Sequence, residues 1–113
     1  MTGSEGYLLN QFLVVRTNKR TDRWGGSFES RMRLPVEIVR RVRQATGPDF
    51  MLIYRLSMVD LVPDGSNWAE VTKLAKAVDD AGAGLPKSGI GWHEARIPTI
   101  AASVRRRAFA WVT

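Results

Sequence analysis

Apolar and polar positions fall along the chain in blocks that read as an alternating series of helices and strands. The first apolar block, Tyr7–Val15, is too short for its period to separate helix from strand. Arg16–Gly26 is polar and basic and ends in Gly25-Gly26, a loop pattern. From Ser27 to Thr46 the apolar residues return at helical spacing, with Phe28, Met32, Val36, Val39 and Val42 on one face. Ser27 is suited to cap this helix, Glu29 complements its first-turn dipole, and Gly47-Pro48 stops it. Pro35 is at odds with it, because an interior proline removes a backbone hydrogen bond and kinks the helix.

Phe50–Leu56 (FMLIYRL) is a nearly continuous apolar run of strand length, the pattern of a parallel strand covered on both faces. Ser57–Ser66, with Pro63, Asp64 and Gly65, reads as a loop. A second helix is expected over Asn67–Ala81. Asn67 and Glu70 have capping-box spacing, Trp68, Val71, Leu74, Ala75 and Val78 form the buried stripe, and Gly82 ends it. A strand is expected next, at Gly84–Ile90. GLPKSGI is a poor one, since Pro86 has no donor and Lys87 is charged. Ser103–Val112 reads as a third helix. Such βα grammar needs further repeats to complete a sheet, because two strands cannot bury both of their faces. The expected fold is therefore α/β, a piece of a larger barrel or doubly wound sheet.

Length and composition narrow the chemistry. A chain of 113 residues accommodates one small domain. No apolar run approaches the roughly 20 residues of a spanning helix, so no membrane role is expected. The segment MTGSEGYLLNQFLVV lacks the basic and long apolar regions of a secretory leader. Without cysteine the chain has no disulfide, thiolate zinc site or Cys-ligated cluster, which fits a cytoplasmic address, and a single histidine disfavours a His-rich metal site. Seventeen Lys and Arg against eleven Asp and Glu give a net charge of +6. These cations are scattered through 16–23, 31–43 and 105–107, with acids between them and no base-reading motif. A solvated surface or an anionic ligand such as a phosphate-bearing cofactor accounts for them, and no nucleic-acid partner is expected.

Three places can carry chemistry. Tyr7 follows Glu5 just before the first apolar block. A phenol holds its proton at neutral pH and can deliver it to a developing carbanion, with a carboxylate to orient it. The alternative is a tyrosine that packs its ring beside a solvated glutamate. Arg55 closes the apolar run FMLIYRL, where a charge needs a partner. The C-terminal ends of parallel strands form the active-site face, and a guanidinium there suits an electron-rich ligand. A structural salt bridge, for instance with Asp60, is the competing reading. The third place is GIGWHEAR, 89–96, where two glycines permit close backbone approach and His93 is the one histidine. A lone loop histidine can equally be incidental. GxG without a third glycine does not make a nucleotide loop, and no nucleophile elbow supports a hydrolase.

The order GSEGYLLNQFL, NKRTDRWGGSFESRMR, IYRLSMVDLV, GIGWHEARIPTIA, AFAWVT resembles the bacterial NADPH-dependent 2,4-dienoyl-CoA reductases of the flavin-dependent Old Yellow Enzyme superfamily. The NxRxDxxGGSxExRxR element marks the superfamily, GIGWHEARIPTIA marks this branch, and the likeness runs over nearly all of the chain. It implies a section of a (β/α)8 TIM barrel, from about the end of strand 4 into βα unit 6, so that 1–113 is a partial flavin-oxidoreductase barrel domain. It also implies FMN as the hydride donor and a 2,4-dienoyl-CoA, an intermediate of unsaturated fatty-acid β-oxidation, as substrate. Tyr7 matches the proton donor, His93 the histidine that polarises the thioester carbonyl, Glu5 the carboxylate of the proton network, and Arg55 the arginine beside the flavin.

Two departures from the family pattern stand out. INTGIGWH is replaced by PKSGIGWH, which should weaken the strand positioning His93, and SVPR becomes SVRR at Ser103–Arg106. The family's phosphate-binding loops, FAD and NADPH domain and 4Fe-4S cluster belong to parts absent from this sequence. The chain by itself is therefore expected to lack turnover. The competing reading is a non-catalytic basic truncation product that binds anions or self-associates through exposed half-barrel edges.

Overall fold

The structure of the chain, a computed structural model, describes residues 1–94. Within them the order of elements is β1 (Thr2–Gly3), α1 (Leu8–Leu13), α2 (Phe28–Arg31), α3 (Arg33–Thr46), β2 (Ile53–Val59), α4 (Trp68–Asp80) and β3 (Leu85–Ile90). The three strands form one parallel sheet in the order β1-β2-β3. Helices follow each of the first two strands, which is the βα alternation read from the sequence. The expected helix at Ser103–Val112 lies outside the described residues.

The apolar block after Tyr7 is helix α1. The long helix expected over Ser27–Thr46 is instead two helices that meet at Met32. Pro35 is the physical reason. In one continuous helix its missing N–H would leave the Arg31 carbonyl unpaired and its ring would press on that carbonyl. Restarting the helix at Arg33 puts Pro35 in a first turn, where no N–H is required, and Val36 takes up the ladder with a 3.2 Å bond to Met32 O. Ser27 caps the first piece by accepting from the Ser30 amide, and Gly47 ends the second with φ +79°.

The strand expected at Phe50–Leu56 lies three residues further on, at Ile53–Val59, and takes in the start of the expected loop. The apolar run concealed a period of two. Leu52, Tyr54 and Leu56 are buried against the helices, whereas Ile53 and Arg55 project from the other face, which is open among the described residues. Phe50 and Met51 are exposed. Gly3 lies beside the buried Tyr54 ring, and a Cβ there would fall 2.0 Å from the phenol oxygen. Burial pushes the Tyr54 phenol above its usual range.

Helix α4 begins as expected. Asn67 accepts from the Glu70 amide at 3.0 Å, and Glu70 Oε2 accepts from the Asn67 amide at 3.1 Å, closing the capping box. Val71, Leu74 and Val78 are buried, but Trp68, placed on the stripe by spacing alone, is 64% exposed at the first position of the helix. Glu70 also binds Arg31, so the cap is tied to α2. Asn67→Ala is therefore expected to lower stability by about 1 kcal/mol, read as a shift in denaturation midpoint without a change in slope.

GLPKSGI does form a strand. Pairing runs from Ile53↔Leu85 to Val59↔Ile90, and Pro86 forgoes one ladder donor at most. Two arginines from the basic stretches are structural. Arg31 is buried, and its guanidinium donates to Leu13 O at 2.7 Å, Gly26 O at 2.6 Å and Glu70 Oε1 at 2.6 Å. Arg43 ties the end of α3 to the turn after α4 through Gly82 O at 2.7 Å and 3.0 Å. Among the described residues, no helix is long and apolar enough to cross a membrane.

Candidate active site

Parallel strands bring their C-terminal ends to one rim, and the residues singled out from the sequence gather there. Two successive residues with left-handed backbone, Glu5 at φ +60° and Gly6 at φ +79°, turn the chain sharply out of β1 into α1. A glycine is required at position 6. Besides its φ, an added Cβ would sit 2.7 Å from the indole of Trp92. The turn is fixed from below. The Gly6 amide donates to Asn10 Oδ1 at 2.9 Å, and Asn10 Nδ2 donates to Asp60 Oδ1 at 3.0 Å. Asp60, at the end of β2, also accepts from Ser57 Oγ at 2.7 Å and from the Ser66 amide at 2.7 Å. Asn10 and Asp60 are buried, so the Gly6–Asn10–Asp60–Ser57 links are shielded from competing water, while the Ser66 bond is partly buried.

Beyond the register shift at Ser57/Val59, the tails of β1 and β3 meet directly. Glu5 and Trp92 form a parallel bridge, and the His93 amide donates to Glu5 O at 3.2 Å. The Tyr7 and His93 rings meet edge to face, with centroids 4.5 Å apart and planes at 78°. Such a pair is worth about 0.5–1.5 kcal/mol beyond area burial. Both side chains are exposed, Tyr7 at 48%, so an incoming ligand can reach the phenol and the imidazole together.

The Glu5 carboxylate is not solvated. Its Oε1 lies 2.5 Å from Arg55 Nη2, with the Glu5 side chain mostly buried. Arg55 thus has a carboxylate partner, but Glu5 fills that place and Asp60, the partner suggested by proximity in sequence, does not. All four expected residues, Glu5, Tyr7, Arg55 and His93, come together at the rim. Sequence reading missed Asn10, Asp60 in its bracing role, and Trp92. Asn10 had left a signal as a polar residue interrupting YLLNQFLVV.

The open face has hydrogen-bonding capacity that the protein does not use. Arg55 Nε and Ser4 Oγ are both buried without a partner among the described residues. They converge on the space left by Gly89, whose added Cβ would lie 3.3 Å from the first and 2.7 Å from the second. A guanidinium with one nitrogen on a carboxylate and a donor to spare fits an electron-rich ring such as that of a flavin. No group of three metal-ligating side chains is found among the described residues.

The chain is similar to known flavin-dependent oxidoreductases in sequence and fold. The chain is 41% identical over 98 residues to an NADH oxidase from Thermoanaerobacter brockii, covering 87% of this chain and 15% of that protein. Among solved structures it superposes on a 2-naphthoyl-CoA reductase in complex with 2-naphthoyl-CoA, at a TM-score of 0.77 and 38% identity over 83% of this chain and 14% of that one. It also matches the Old Yellow Enzyme homologue of Zymomonas mobilis, at a TM-score of 0.69 and 28% identity over 80% of this chain and 26% of the other. The chain therefore spans between 14% and 26% of the length of these relatives. Its fold is a section of the (β/α)8 barrel of the Old Yellow Enzymes, as the sequence led us to expect. The family model for NADH:flavin oxidoreductases and NADH oxidases matches residues 1–113 throughout. With the parallel strands of a barrel section and these likenesses in agreement, the chain belongs to the NADH:flavin oxidoreductase / NADH oxidase family.

Proposed function

We propose that this chain supplies the proton-transfer rim of an FMN-dependent reductase acting on 2,4-dienoyl-CoA thioesters, with NADPH as the ultimate donor. The observation that carries the reading is the Tyr7–His93 ring pair at 4.5 Å beside the Glu5–Arg55 ion pair. The likeness to a reductase complexed with a CoA thioester supports the substrate class. FMN, when bound, supplies the hydride, delivered to the δ-carbon of the diene. Reduction builds negative charge towards the thioester oxygen, and His93 donates a hydrogen bond to that oxygen. Tyr7 gives its phenolic proton to the α-carbon, so that hydride and proton together complete a two-electron, two-proton addition. Glu5 fixes the backbone of His93 and holds the Arg55 guanidinium, which binds the flavin ring.

The test is a titration of FMN followed by quenching of flavin fluorescence. The wild-type chain is expected to bind saturably, Arg55→Ala about tenfold more weakly, and His93→Ala within twofold of wild type. Absence of saturable binding by the wild type would sink this reading. A second reading, self-association without catalysis, draws on the exposed Ile53 and Leu85 on the open sheet face. A stable dimer that ignores FMN would favour it.

A further inference from the structure

We propose that Lys87 is a second cation of the flavin face and favours the reduced, more negatively charged form of FMN. The inference rests on the reading of Arg55 as the flavin-facing residue. It concerns a departure from the family pattern, because Lys87 falls in PKSGIGWH.

The register decides the side. Thr2 pairs with Arg55, and Arg55 pairs with Lys87. Residues opposite one another in a parallel sheet project from the same face, and neighbouring strands lie about 4.8 Å apart. Lys87 therefore stands on the open face at the level of Arg55, while Tyr54 and Leu56 on either side of Arg55 point into the helices. Two cations side by side repel unless something negative lies between them. The Glu5 carboxylate is engaged by Arg55, and Lys87 makes no ion pair among the described residues. The face thus carries one positive charge more than its carboxylate balances, and that charge is exposed. A ligand that gains negative charge on reduction is held more tightly by such a face after reduction than before.

The experiment compares the dissociation constants of oxidised and dithionite-reduced FMN for wild type, Lys87→Met, Lys87→Gln, Lys87→Arg and Arg55→Met, with circular dichroism to confirm the fold. In Lys87→Met and Lys87→Gln, affinity for oxidised FMN is expected to stay within about twofold. Affinity for reduced FMN is expected to fall about tenfold, equivalent to about 30 mV for a two-electron couple. Lys87→Arg should restore the wild-type ratio, and the difference should shrink in high salt. An unchanged ratio in both neutral variants, with Arg55→Met altering binding, would overturn the role of Lys87 and leave the flavin reading standing. Equal weakening of both forms would mark Lys87 as merely structural and also overturn the proposal. Failure of the wild type to bind either form would overturn both readings.

Discussion

Arg31→Ala is expected to destabilise the fold by about 3–5 kcal/mol, the largest effect of any single substitution considered. The Arg31 guanidinium is buried and spends its donors on Leu13 O, Gly26 O and Glu70 Oε1. Alanine strands two main-chain carbonyls and a mostly buried carboxylate, and each unsatisfied group carries its own desolvation cost. The damage spreads because Glu70 also closes the cap of α4. Urea unfolding of wild type, Arg31→Ala and the double variant with Glu70→Ala tests this. The double variant is expected to be less destabilised than the sum of the singles, because it leaves no unpaired glutamate. Additive losses would show that Arg31 and Glu70 act separately.

In a complete, FMN-loaded barrel that contains this segment, Tyr7→Phe is expected to lower turnover of a 2,4-dienoyl-CoA by about 10²–10³-fold, with little change in KM. The substitution removes the phenolic proton while keeping the ring on His93, so the 4.5 Å edge-to-face contact survives. Rapid mixing separates the steps. Proton delivery should slow, and binding of the thioester should not. Turnover within twofold of wild type would mean that the phenol is not the proton source and that its ring serves only to pack against the imidazole.

The alternation of helix and strand from Ser27 onward was legible because local signals agree with the tertiary result. Ser27, Gly47 and the Asn67–Glu70 pair mark helix ends through short-range hydrogen bonds that need no knowledge of distant residues. The boundaries of β2 were not legible, because FMLIYRL is apolar at every position but Arg55 and only pairing with β1 and β3 selects the register. Pro35 was flagged as discordant, but its resolution, a restart at Arg33, depends on where the preceding piece packs. The partner of Arg55 eluded sequence reading for a related reason. Asp60 is near in the chain, whereas Glu5 is brought up by the sheet and by a left-handed turn that no periodicity announces. Glu5, Tyr7, Arg55 and His93 could be named individually from resemblance. The Asn10–Asp60 bracing beneath them needed the fold.

The double attachment of Glu5 has a mechanical consequence. Its carboxylate grips Arg55 and its carbonyl grips the His93 amide, so one residue joins the open sheet face to the ring pair at the rim. Glu5 is a joint with two arms. A ligand that pulls on the guanidinium loads the same peptide unit that sets the height of the imidazole. Perturbations at positions 55 and 93 should therefore fail to add in a double-mutant cycle, and the shortfall should vanish once Glu5 is replaced by alanine.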